Sequence, residues 1–81
     1  MTQHTPTIEV YGKPDCTDTD RSRALLDGRG VVYDYFDVTT SDEARERAES
    51  VSGSTRAPVV VVGGGTVLVE PTDEELASAL S

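Results

Sequence analysis

Residues Val59 to Val62 read VVVV, four β-branched residues in a row. This run constrains the fold more than any other. A strand with one wet face alternates apolar and polar residues, whereas an unbroken β-branched run suits a strand buried on both faces. A chain of 81 residues hides both faces of a sheet by laying helices on each side. The remaining segments must therefore supply helices and partner strands.

They do so in regular order. Residues 1–6 read as a flexible N-terminal tail and residues 7–81 as a single domain. Thr7 to Tyr11, TIEVY, is β-like, and Gly12-Lys13-Pro14-Asp15 breaks it. Thr17 to Arg29 reads as a helix. Thr17 with Asp20 forms a capping-box-like start, Ala24, Leu25 and Leu26 supply its apolar face, and Gly28 or Gly30 stops it. Val31 to Phe36 is a second strand. Ser41 caps a second helix in which Ala44, Ala48 and Val51 fall at helical spacing, and Gly53 ends it. After the valine run, Gly63-Gly64-Gly65 turns the chain and Thr66 to Val69 returns as the other half of a hairpin. Pro71 leads into a last helix, capped by Thr72 with Glu75, whose Leu76 and Leu80 face inward. The order β-α-β-α-β-β-α predicts an α/β fold: a four-stranded mixed sheet with helices on both faces. The first β-α-β unit is expected to be parallel.

Charge narrows the function. The net charge of −8 repels phosphate backbones and anionic lipid, which argues against nucleic-acid and membrane partners. The polar start MTQHTPT lacks the basic and apolar regions of a signal peptide. A single cysteine, Cys16, cannot form an internal disulfide, so a stapled secreted scaffold is excluded and the cytoplasm is the expected location. His4 has no partner motif, and no metal site is expected. The glycine triplet lacks the Lys-Ser/Thr and following helix of a phosphate loop, which leaves the hairpin turn. Arg45 and Arg47 read as a solvated face.

Cys16 lies where a strand ends and a helix begins. Ligand sites in open α/β sheets gather there. A helix start offers unpaired N–H groups and partial positive charge, which favour thiolate, and Lys13 adds a cation. Asp15 and Asp18 oppose them. The aspartates can swing into water, so the lowering effect is expected to prevail. The alternative is a small buried residue without chemistry.

The segment KPDCTDTDRSRALLDGRGVVYDYFDV resembles the opening of a glutaredoxin. Lys13, Cys16, Arg23, Leu25-Leu26, Gly30 and Asp37-Val38 fall in register with that family's Lys-x-x-Cys-x-x-Cys strand-to-helix segment. Thr55-Arg56-Ala57-Pro58-Val59 resembles its Thr-Val-Pro segment. Leu68-Val69-Glu70-Pro71-Thr72-Asp73 is most similar to a mycoredoxin-like branch. The resemblance implies a thioredoxin-like fold and a cis proline facing the cysteine. It also implies thiol–disulfide exchange on protein mixed disulfides by a monomer. No cofactor is tightly bound, and a low-molecular-weight thiol, glutathione or mycothiol, is the co-substrate. On that reading Cys16 is the nucleophile, with Lys13 and Thr19 supporting its thiolate. Tyr11, Arg56, Ala57, Pro58, Thr72 and Asp73 bind substrate or co-thiol, and by register Arg23 faces the site more readily than Arg21. Tyr11 has an even alternative, packing beneath the site loop.

The chain departs from the family at several places. Thr19 stands where the second cysteine would be, giving Cys-Thr-Asp-Thr, so any redox cycle must be monothiol. Asp18 stands in place of an aromatic residue, and Arg56 in place of the Thr of Thr-Val-Pro. Val69-Glu70 replaces a Gly-Gly pair, and Glu70 would repel a carboxylate. Three other functions compete: a redoxin fold that only docks a thiol or peptide, an iron–sulfur carrier, and an arsenate-reductase-like enzyme.

Overall fold

The computed structural model describes residues 8–80. The expected tail, residues 1–6, and His4 lie outside the described residues. Four strands form one sheet: β1 (Glu9–Gly12), β2 (Asp34–Asp37), β3 (Val59–Val62) and β4 (Thr66–Val69), in the spatial order β2-β1-β3-β4. β1 and β2 are parallel, and β3 runs antiparallel to both β1 and β4. Three helices join them: α1 (Thr17–Gly28), α2 (Asp42–Ser52) and α3 (Asp73–Leu80). A single 3₁₀ turn at Gly63–Gly65 closes the β3–β4 hairpin.

Side-chain alternation along the strands divides the core in two. Val10 of β1 and Val60 of β3 point to one face, where they pack with Leu26 of α1 and Leu76 of α3. Tyr11 and Val59, one residue along, point to the other face and meet Ala44 and Ala48 of α2. The VVVV run is thus the central strand it was read to be, with Val59 and Val60 fully buried on opposite faces.

Caps set the helix limits. The Ser41 hydroxyl accepts the Ala44 N–H at 3.1 Å, and Gly53, at φ 68°, takes the left-handed turn that ends α2. At α3, the Thr72 N–H donates to the Glu75 carboxylate at 2.9 Å and the Glu75 N–H donates to the Thr72 hydroxyl at 3.0 Å. That is the reciprocal box expected from Thr72 and Glu75.

Three expectations for the first half of the chain change. Thr17 and Asp20 form no capping box, because Cys16 itself occupies the N-cap, with the Asp20 N–H bonded to its carbonyl at 2.9 Å. The buried stripe of α1 is Thr19, Ser22 and Leu26, while Ala24 is exposed. Strand β2 begins at Asp34, not Val31. Gly30, at φ 69°, donates its N–H to the Asp27 carbonyl, and Val31 donates to Leu26. This pair of bonds is the Schellman ending of α1. It takes the Val31 N–H away from any ladder, and Val32 is left 71% exposed in the connection.

Candidate functional site

Cys16 is placed by the loop that joins β1 to α1. Asp15 adopts a left-handed conformation, φ 61°, which aspartate tolerates better than most residues. The turn delivers Cys16 in extended conformation at the N-cap of α1, with its side chain part-exposed. The N-cap is the position whose side chain ordinarily meets the free N–H groups of the first turn. Here that side chain is a thiol. It forms no conventional cap bond. Thr19, foremost through its hydroxyl, holds the Cys16 thiol below its ordinary pKa, against partial desolvation and the nearby Asp18 carboxylate.

Thr19 is 1% exposed and sits beneath the strand end. Its Oγ1 accepts the Lys13 backbone N–H at 3.4 Å. A hydroxyl that accepts one bond keeps its own proton free to donate, here within one helical turn of Cys16. Gly12 makes room for it. A Cβ on Gly12 would lie 2.5 Å from Thr19 Cγ2 and 2.8 Å from Thr19 Oγ1. The register Val10↔Val60 and Tyr11↔Val59, continued by one pair, sets Pro58 across from Gly12. The Ala57–Pro58 bond is cis. The Pro58 carbonyl accepts the Glu70 N–H at 2.8 Å, which ties the segment before β3 to the segment after β4.

The residues selected from sequence fall into three groups. Cys16, Lys13 and Thr19 come together at the head of α1. Lys13 contributes its backbone N–H, and the residue is exposed. Arg56 and Ala57 share a small recess with Tyr11 on the α2 side of the sheet. Tyr11 itself is 2% exposed and stacked on Phe36 with ring centroids 5.0 Å apart; its hydroxyl donates to Glu9 at 2.8 Å and accepts from Arg47 at 3.0 Å. Both sequence readings of Tyr11 find a counterpart: it packs on Phe36 and also lines the recess beside Arg56 and Ala57. Arg47 is correspondingly more than a solvated arginine, since it closes this network. Thr72 and Asp73 form the third group, at the N-terminus of α3. Arg21 links that group to the first: it pairs with Asp18 at 2.7 Å and reaches Asp73 at 3.7 Å.

Arg23 does not take the position expected of it. Its Nε donates to the Tyr33 hydroxyl at 3.2 Å and its guanidinium lies 3.9 Å from the centroid of the Tyr35 ring. This aromatic contact holds it on the β2 side of α1. Arg21, two residues earlier, faces α3 instead. Sequence reading also passed over two backbone features. Gly12 carried a signal, an isolated glycine ending a strand just before the cysteine loop. Glu70, at φ 48°, occupies a conformation that favours glycine, at the place where the resembled family has Gly-Gly. Among the described residues no group of three His, Cys, Asp or Glu side chains is arranged to hold a metal ion. No helix there is long and apolar enough to cross a membrane.

Comparison with known proteins agrees with this geometry. The profile of the glutaredoxin family matches residues 8–67. The Gene 56 protein of Mycobacterium phage D29 is 37% identical over 60 residues, covering 74% of this chain; the match spans 66%, just under two thirds, of that relative's own length. Among solved structures, the glutaredoxin (grx-1) from Archaeoglobus fulgidus superposes with a TM-score of 0.82 at 25% identity, over 93% of this chain and 86% of that one. The thioredoxin-like protein BC3987 gives 0.82 at 33% identity, over 89% and 97%.

Proposed function

The chain belongs to the glutaredoxin family of thiol–disulfide oxidoreductases, and from that premise we propose that it is a monothiol enzyme acting on mixed disulfides, with a low-molecular-weight thiol, glutathione or mycothiol, as resolver. The observation that carries this reading is Cys16 at the N-cap of α1, with buried Thr19, whose hydroxyl favours the thiolate, at the position where a second cysteine would stand.

The cycle has two displacements. The Cys16 thiolate attacks the low-molecular-weight sulfur of a mixed disulfide. A bond forms between that sulfur and Cys16 Sγ, the old S–S bond breaks, and the protein substrate leaves as a thiolate that takes a proton from water. A second low-molecular-weight thiolate then attacks the same small sulfur. It forms a symmetric disulfide and returns Cys16 as thiolate. No electrons come from elsewhere, and no resident cofactor takes part. Thr19 donates to the sulfur in the free and leaving states, when it carries charge, and this favours its departure. Arg56, Thr72 and Asp73 face the small thiol, and the backbone of Ala57, before Pro58, docks the substrate chain as a short added strand. We assign the protein to the cytoplasm as a monomer, since a single working thiol needs a reducing compartment.

The test is single-turnover reduction of Cys16 carrying a glutathione or mycothiol adduct, followed by mass. Return of the free thiol with at least one of the two small thiols, and no adduct on Cys16→Ser, is expected. If neither thiol regenerates Cys16, the fold is a docking module without turnover.

A further inference from the structure

Arg21 of α1 and Arg56 before the cis proline are both paired with the chain's own carboxylates. Arg56, two residues before Pro58, pairs with Glu70 at 3.4 Å. Arg21 pairs with Asp18 at 2.7 Å and Asp73 at 3.7 Å. The Thr72 N–H at the head of α3, which an incoming carboxylate would need, donates to Glu75 at 2.9 Å. Glu70 is fixed in place: its left-handed backbone, φ 48°, is tied by its N–H to the Pro58 carbonyl at 2.8 Å. The register of β1 and β3, continued by one pair, sets Pro58 across from Gly12, and Gly12 abuts Thr19, one helical turn from Cys16. Glu70 thus belongs to the segment that borders the thiol loop. The segments that border Cys16, the rim of the site, carry Asp15, Asp18, Glu70 and Asp73 together with Lys13, Arg21 and Arg56.

We propose that Glu70 and Asp73, paired with Arg56 and Arg21, make this rim a charge filter that selects small thiols and disulfides carrying no carboxylate, uncharged or cationic in class. The proposal rests on Cys16 being a working nucleophile and names its substrate class. An anionic partner has to approach Glu70, or displace it from Arg56, and gains no unpaired guanidinium by doing so. A hydroxyl-bearing or amine-bearing partner meets no such barrier.

The experiment uses three symmetric disulfides of similar size: bis(2-hydroxyethyl) disulfide, uncharged; cystamine, cationic; and 3,3′-dithiodipropionate, anionic. Reduced protein is mixed with each, and the mass gain at Cys16 is followed in time. Cys16 Sγ bonds to one sulfur, the S–S bond breaks, and one small thiolate leaves, so no other oxidant is involved. Each rate is divided by that of 2-mercaptoethanol with the same disulfide, which removes differences in leaving group. An exposed charge interaction corresponds to a factor of about 1.4 to 5. The normalised order should be cationic, then uncharged, then anionic, each step within that range. The spread should shrink in 1 M salt, where the Debye length is about 3 Å. Glu70→Gln should raise the anionic-to-cationic ratio about two- to fivefold. Equal normalised rates, or a spread indifferent to salt and to Glu70→Gln, would overturn the filter and leave the oxidoreductase reading standing. A Cys16 that reacts with none of the three would overturn both.

Discussion

Gly12→Ala isolates the contact on which the site is built. The φ of Gly12 lies outside the left-handed range, so a methyl group there meets only steric opposition. Its Cβ would sit 2.5 Å from Thr19 Cγ2, 2.8 Å from Oγ1 and 3.2 Å from Cβ. Thr19 is β-branched and buried and has few rotamers to escape into, so the strand and α1 must separate. Overpacking of this kind costs about 1–3 kcal/mol. The lower entropy of the unfolded alanine chain returns about 0.4–1 kcal/mol, leaving a net loss of about 1.3 kcal/mol at the middle of both ranges. For a domain of this size each kcal/mol moves Tm by about 4–8 °C, so thermal unfolding should come about 5–10 °C earlier. Gly12→Ala in a Thr19→Ala background removes the two nearest atoms. In that background the same substitution should cost at least 0.5 kcal/mol less, the coupling expected of residues in contact. Alkylation of Cys16 provides a second readout, since a displaced Thr19 hydroxyl no longer favours thiolate. A Gly12→Ala protein as stable as wild type would refute the reasoning. So would a destabilisation that Thr19→Ala leaves unchanged, because the collision would then lie elsewhere.

Thr19→Val keeps the shape and removes the hydroxyl, so the thiol pKa of Cys16 should rise towards that of free cysteine, measured as thiolate absorbance against pH. Because Thr19 depresses the native thiol pKa, stability gained from Cys16 is present above the unfolded-state pKa and is lost as pH falls through the native one. The stability of wild type relative to Cys16→Ser should therefore increase as pH is raised through the thiol range, read from urea midpoints. Thr19→Cys places a second sulfur one helical turn from the first and should form an internal disulfide under mild oxidation, seen as a loss of two mass units and of both alkylatable thiols. Thr72→Ala removes one half of the α3 box and should cost about 0.5–2 kcal/mol of stability.

The elements that could be read from sequence are those governed by local rules. Ser41, Gly53 and the Thr72–Glu75 pair announce helix ends through their own short-range hydrogen bonds. Valine repetition announces the central strand because burial on two faces needs no knowledge of which elements do the burying. The misreadings arise where a second, non-local demand decides. Val31 to Tyr33 have strand composition, but the turn at Gly30 takes the Val31 N–H for α1. Thr17 looks like a cap, but the loop geometry at Asp15 brings Cys16 to that position instead. Arg21 and Arg23 are equivalent in a linear pattern. Only the positions of Tyr33, Tyr35 and Asp73 in space separate them. Glu70 was legible as a charge, but its pairing with Arg56 across the β3–β4 ends was not.

Thr19 links the architecture to the chemistry of a one-cysteine site. A second thiol at this position would attack the Cys16 adduct from within, at a rate independent of the surroundings. A hydroxyl is far too weak a nucleophile for that. It still packs against Gly12, and it still favours the thiolate of Cys16. On the monothiol cycle proposed above, an adduct on Cys16 persists until an external thiol arrives, and the second displacement becomes bimolecular. Discrimination moves with it. In a site that resolves itself, rim charges act once, on entry of the disulfide. In this one they act on entry and again on resolution, because both reagents cross the same rim. The electrostatic factor proposed for Glu70 and Asp73 thus bears on both displacements, so turnover carries it whichever displacement limits the rate, whereas a site that resolves itself escapes it whenever resolution is the slow step.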